Sequence, residues 1–318
     1  MRWDVHNHAV PGEAIELLRD TSGYPVAVEG NIMEADRVRA ELTPLFTDPA
    51  AKLDQLESLG LEAAVVSVSP ALFAYETDVD RGAALCRAVN SGLANFCRHD
   101  SSRLRWLAHV PLQGPEAAAE LLTEAADAGA VGAQIGTSVA GTPLADAGLD
   151  AFWGATEEHD MALMLHPAYN NPHPGLDGFH LQNAIGNQLE TTIAAERLIV
   201  TGVLDRHPDL RLLLVHAGGY MPWQAGRLRH AATVRAELAD SPPDPHDYFG
   251  HIVVDTITHD AAALRFLVER VGATNVAMGT DLPFDMATPE PVAALEQAVD
   301  ADAARRIMEE TPRRLFGL

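Results

Sequence analysis

Eight short apolar runs, rich in valine, isoleucine or leucine and without clean polar alternation, recur along the chain. They are Arg2–His6, Ala63–Val68, Leu104–Val110, Ala130–Ile135, Met161–His166, Leu210–His216, Ile252–Asp255 and Asn275–Thr280. Runs of this kind are expected of parallel strands covered on both faces. Helical patterns separate most of them. Asp48–Leu59 opens on Asp-Pro, an N-cap and first-turn pair, and stops at Gly60. Pro115–Ala128 stops at Gly129 in the same way. Leu149–His159, Glu190–Arg206, Pro222–Leu238 and Ala261–Val271 supply further helices, and Asp300–Phe316 closes the chain. Strand and helix in repeated alternation predict an α/β protein built as a (β/α)8 barrel, with a doubly wound open sheet as the competing arrangement.

The first strand carries the first chemical signal, Asp4-Val-His-Asn-His8. Side chains alternate along a strand, so His6 and His8 share a face and form a ready pair of ligands for zinc or a similar metal. A lone His-x-His pair is weak evidence. It gains weight because His166, His216 and Asp281 also stand at the ends of apolar runs. Any one of these is more easily read as a buried core histidine or, for Asp281, a helix N-cap. Together His6, His8, His166 and Asp281 make a three-nitrogen, one-oxygen set that leaves room for a bound water. They also favour the barrel, where strand ends form one ring, over an open sheet, where the first and last strands can lie far apart.

His216 stands in Leu212-Leu-Leu-Val-His-Ala-Gly-Gly, and the small residues after it allow a tight turn at the rim. It can serve as a further ligand or as a general acid/base. We assign it the second role, beside the bound water, with Asp281 orienting that water and sharing its proton. His109 and His259 end the third and seventh runs and are candidates for lining the pocket; His180 is a candidate substrate contact. His99, His159, His207, His230 and His246 are read as solvated.

Barrels of this kind run to ~250 residues or more as one unit. No repeat or low-complexity linker divides the chain, so residues 1–318 are read as a single domain. Two long connections, near 9–47 and 168–189, are rim insertions, and such loops form pocket walls or lids. The formal net charge is −23, with 22 Lys plus Arg against 45 Asp plus Glu. So acidic a surface argues against nucleic acid and anionic membranes as partners and demands locally placed arginines for an anionic substrate. Lys52 is the only lysine and lies in a helix near the front, expected to be far from the ligands, which argues against a centre of two metals bridged by a carboxylated lysine. Cys86 and Cys97 fit no zinc spacing and read as reduced thiols of a cytoplasmic protein. Neither a signal peptide nor an apolar run of membrane-spanning length is expected.

Along nearly its whole length the chain resembles the amidohydrolase-related family typified by α-amino-β-carboxymuconate-ε-semialdehyde decarboxylase. The resemblance is carried by Asp4-Val-His-Asn-His8, Gln134-Ile-Gly-Thr137, Leu165-His-Pro167, Glu190-Thr-Thr192, His216-Ala-Gly-Gly219, Gly226-Arg227, His259-Asp260 and Gly279-Thr-Asp-Leu-Pro-Phe284. It implies a metal-dependent barrel with His6, His8, His166 and Asp281 as ligands and His216 as the catalytic histidine. It also implies a homodimer in which Arg227 enters the neighbouring subunit's site to hold a substrate carboxylate. The family's first substrate arginine lies after the first strand, where Arg37 and Arg39 are the candidates. Between Phe179 and Glu190 the decarboxylase has tryptophans; this chain places His180 and Asn183 there, a more polar substrate wall.

The expected activity is that of a decarboxylase using one divalent ion per chain, zinc first and manganese second, on a small unsaturated or aromatic carboxylic acid. The rival is a metal-dependent hydrolase of an amide or lactone on the same scaffold. A non-catalytic metal-binding scaffold is the remaining alternative.

Overall fold

The computed structural model describes residues 1–35, 38–168, 172–238, 241 and 244–318. Eight strands form one sheet in chain order: β1 (Trp3–Ala9), β2 (Ala63–Val68), β3 (Leu104–His109), β4 (Gly132–Gly136), β5 (Ala162–His166), β6 (Arg211–Leu214), β7 (Ile252–Asp255) and β8 (Val276–Ala277). Each neighbouring pair is parallel. Backbone bonds from Val5 to Met278, from Asp281 to His6 and from His8 to Leu282 bring β1 against the end of the chain's last strand. The sheet is thereby a nearly closed (β/α)8 barrel, as the alternation predicts.

Inward side chains explain why the strands read as continuous apolar runs. Trp3, Val5, Ala63, Val65, Leu107, Met164, Leu213, Val253 and Ala277 fill the barrel, and Leu315 and Phe316 of the last helix plug its lower mouth. Outward residues such as Val66, Ile135, Leu163, Leu214 and Val254 belong to the larger cluster beneath the helices. A fully buried side chain of this size contributes about 1.5–3 kcal/mol, so the two layers together hold the rim. Aspartates start several helices: Asp48 accepts from Ala50 N at 2.9 Å and Asp260 from Ala263 N at 2.7 Å.

Several elements depart from the sequence reading. The longest helix, Val79–Cys97, has no counterpart in it. Gly82 and Gly92 lower its intrinsic helical preference. A Cβ on Gly92 would lie 2.5 Å from Pro11 Cβ, so the glycine permits close packing at the expense of local signal. The connection after β1 folds into a helix, Gly12–Asp20, and a three-stranded antiparallel sheet, Val26–Glu29, Ile32–Ala35 and Val38–Glu41. The helical pattern of Glu190–Arg206 begins earlier, at Asn187, and breaks at Gly202, whose φ is 69°. Strand β6 stops at Leu214, short of His216. Among the described residues no helix is long and apolar enough to cross a membrane.

Candidate metal centre

β1 carries His6 and His8, but the strand is not regular: its register against β2 shifts between Asp4 and Asn7. His166 is the last residue of β5. Asp281 lies beyond β8 in a left-handed conformation, φ 65°, which turns its carboxylate back toward β1. One nitrogen of each histidine and one oxygen of Asp281 all lie within 4.8 Å of one another. His6 Nε2 is 3.3 Å, His8 Nε2 3.1 Å and His166 Nε2 4.0 Å from Asp281 Oδ1.

The donor set fits a divalent metal. His6, His8 and His166 Nε2 and Asp281 Oδ1 are all buried with no hydrogen-bond partner. A buried polar atom without a partner is costly. Four such atoms converging on one point are explained by an ion at that point. The other ring nitrogens are all occupied, which fixes each imidazole's direction. His6 Nδ1 meets Asp255 Oδ2 at 2.8 Å, His8 Nδ1 meets Val68 O at 3.1 Å, and His166 Nδ1 meets Pro167 O at 2.7 Å.

Charge follows the same pattern. Burial alone would lower the pKa of His6, but the Asp281 and Asp255 carboxylates outweigh it and raise the group to about 10. Burial lowers His8 to about 4 and His166 to about 3. Burial opposes ionisation of Asp281, yet the surrounding imidazoles hold it well below the usual carboxylate range. The cluster therefore gathers carboxylate charge around three buried imidazoles, an arrangement suited to a divalent cation.

His216 is placed by an unusual backbone. His216, Ala217, Gly218 and Gly219 all have positive φ, between 54° and 74°. At Gly219 a Cβ would lie 2.3 Å from Gln188 O, so no larger residue fits. Asp255 stabilises this turn by accepting from His216 N at 2.9 Å and Ala217 N at 2.7 Å. His216 Nε2 lies 3.5 Å from Asp281 Oδ2, outside the four-atom set but beside it.

Two chambers meet at this point. The first, about 550 Å³, is lined by Arg39, Phe46, His180, Asn183, His216 and Phe284, among others. Phe284 packs on the His8 ring at 5.2 Å and on Phe46 at 5.4 Å. The second, about 500 Å³, shares Asn183, His216 and Asp281 and is walled by Tyr220, Trp223 and His259. Both long connections thus supply walls. The loop after β5 is pinned where His173 Nε2 meets Glu190 Oε1 at 2.5 Å.

The structure sorts the remaining sequence expectations. Arg39 is exposed on Val38–Glu41 at the cavity mouth; Arg37 lies outside the described residues. Arg227 is exposed on the helix Met221–Val234 and lines neither chamber of its own chain. His259 lines the second chamber, whereas His109 turns Nε2 to Leu72 O at 3.1 Å. His207 and His159 are half-buried and partnered rather than solvated, by Glu157 and Thr123. Lys52 is not remote: it is buried against β1, with Nζ 2.8 Å from His8 O. The helix was read correctly, but not the face that packs on the strand. Sequence reading missed Asp255, which closes Ile252-Val-Val-Asp in the manner that singled out His166.

The chain is 26% identical over 328 residues to a 2-amino-3-carboxymuconate-6-semialdehyde decarboxylase from Dictyostelium discoideum, covering 100% of this chain and 89% of that one. It is 29% identical over 291 residues to a gamma-resorcylate decarboxylase from a Rhizobium species, covering 85% of each. A 5-carboxyvanillate decarboxylase from Novosphingobium aromaticivorans, complexed with manganese and 4-hydroxy-3-methoxy-5-nitrobenzoic acid, superposes with a TM-score of 0.81 at 21% identity, covering 100% of this chain and 96% of that one. The model of the family described as Amidohydrolase matches residues 3–318, and the chain belongs to that family.

Proposed function

We propose that this protein is a metal-dependent decarboxylase of a small aromatic or unsaturated carboxylic acid. The observation that carries the reading is the convergence of three buried, unpartnered imidazole nitrogens and one carboxylate oxygen within 4.8 Å, at the floor of an open cavity. Relatives with decarboxylase names over most of the chain support it. His6, His8, His166 and Asp281 would hold one divalent ion; zinc suits the donor set, and manganese in the structural neighbour makes it the alternative. When bound, the ion supplies a Lewis acid that polarises substrate oxygens.

The chain's own residues supply the rest. Losing carbon dioxide leaves an electron pair on carbon, and a proton must replace the carboxyl group. His216, with Nε2 beside Asp281 Oδ2, is placed to hold and deliver that proton. Arg39 at the mouth and Arg227 of a second copy would grip the carboxylate, since the guanidinium fork pairs with it bidentately. His180 and Asn183 line the same cavity. Phe46 and Phe284 shield the His8 side from water.

The test is metal analysis of the purified protein together with carbon dioxide release from a panel of ortho-hydroxybenzoates and unsaturated amino acids. One ion per chain and release from at least one panel member are expected, with both lost in His6→Ala and Asp281→Ala. Hydrolysis of amides or lactones without any carbon dioxide release would overturn the reading in favour of a hydrolase.

A further inference from the structure

The closure of the barrel is the weak point of the metal centre's architecture. His6 and His8 ride on β1, and Asp281 follows β8, so three of the four candidate ligands depend on how those two segments meet. Yet β8 contributes only Val276–Ala277, and beyond it β1 is met by a few backbone bonds, Val5 to Met278, Asp281 to His6 and His8 to Leu282, and by an isolated bridge between Asn7 and Leu282. Buried side chains reinforce this short seam. Asp4 Oδ2 accepts from Thr280 Oγ1 at 2.6 Å and from Asn7 Nδ2 at 2.7 Å. Asp4 Oδ1 accepts from Thr280 N and His6 N, both at 3.1 Å. Asn7 Oδ1 in turn accepts from Lys52 Nζ at 2.6 Å, and the same nitrogen donates to His8 O at 2.8 Å.

Every member of this chain of contacts, Lys52, Asn7, Asp4 and Thr280, has zero exposure. Burying a lysine amine and a carboxyl group is costly, and an apolar pair of similar volume is often at least as stable. The only lysine of the sequence therefore occupies a place where a methionine would fill the space more cheaply. What a methionine lacks is the ability to fix the Asn7 amide and the His8 carbonyl at once.

We propose that Lys52 is a positioning residue for the metal centre. Through Asn7 and Asp4 it sets β1 against Thr280-Asp281, so that His6, His8 and Asp281 converge at metal-binding distance. Its effect passes entirely through the backbone and side chains of others; it touches neither substrate nor ion. The inference rests on the reading of the four-residue cluster as a metal site.

The experiment measures cobalt and zinc dissociation constants by chelator competition, with the visible spectrum of the cobalt form. It compares the wild type with Lys52→Met, Thr280→Val and Thr280→Ser. Lys52→Met should weaken binding about 10–100-fold, the range found for residues that orient ligands, and should change the cobalt spectrum. Thr280→Val, nearly isosteric and at the far end of the network, should do the same; Thr280→Ser, which keeps the hydroxyl, should bind as the wild type does. Thr280→Val decides the matter if Lys52→Met fails to fold. Affinities within twofold of wild type and an unchanged spectrum in the folded variants would overturn the role of Lys52. A wild-type protein that takes up no metal would instead overturn the reading of the site.

Discussion

Asp255 Oδ2 accepts a hydrogen bond from His6 Nδ1 at 2.8 Å, joining residues 249 positions apart. The same carboxylate holds the backbone nitrogens of His216, Ala217 and Ile257. Burial alone would raise its pKa, but His6 and these donors keep it below the usual carboxylate range. One ionised group thus aims a candidate ligand and fixes the turn that presents the candidate acid/base.

Replacing that carboxylate should therefore affect both functions. Asp255→Asn keeps the shape but removes the charge that sets the His6 tautomer. Metal affinity should fall about 10–100-fold, measured by chelator competition, and turnover should fall further than occupancy alone explains. Equal losses in occupancy and turnover would leave Asp255 with a ligand-orienting role only.

His216→Ala should separate metal binding from turnover. The ring lies beside the four-atom set without belonging to it. The variant should retain one ion per chain while kcat falls about 10²–10⁴-fold, the usual contribution of a general acid/base. Loss of the ion, read by metal analysis, would make His216 a fifth ligand.

Arg227 gives a prediction about assembly. It is exposed and lines neither chamber of its own chain, so any contact with substrate requires a second copy. Trp223, also exposed and stacked on Phe266, should lie near that interface. Mixing inactive Arg227→Ala and His216→Ala chains should restore partial activity, because one hybrid site receives both residues intact. Mixed dimers that form and stay inactive would sink the shared site.

Glu196 predicts a pH effect on stability away from the centre. Burial raises its carboxyl from 4.5 to about 7, and its Oε2 has no partner. The folded state binds this proton more tightly than the unfolded state. The contribution is therefore full below the unfolded value and disappears as pH rises through the folded one. Glu196→Gln should leave stability near pH ~4 almost unchanged and raise it by roughly 2–3 kcal/mol near pH ~8. Denaturant unfolding at the two pH values checks this; equal differences at both would refute it.

Much of the site was legible because a polar residue that closes an apolar strand is rare enough to notice. His166 and Asp281 were found in this way, and His6 and His8 by strand periodicity. Asp255 carries the same signature and was passed over because it was read as a strand end without a chemical role. The helix Val79–Cys97 was illegible for a different reason: its glycines serve packing against Pro11 and Gln113, so local preference understates it. Lys52 was placed on the right helix, but the face that meets β1 follows from tertiary packing, which periodicity does not contain. The turn at His216 escaped because four successive residues of positive φ have no pattern a strand template can match.

Leu315 and Phe316 seal the end of the barrel opposite the candidate ligands, which gives the molecule a dry pole and a wet one. Depth along the barrel axis then becomes the coordinate on which substitutions sort. Near the plug, a change such as Phe316→Ala trades only in packing and should leave selectivity alone. Near the rim, changes at Arg39, His180 or Trp223 should alter selectivity while leaving the melting temperature nearly untouched. Between the poles, where Asp4 and Thr280 touch across 276 positions of sequence, stability and chemistry are drawn from the same atoms and cannot be varied separately.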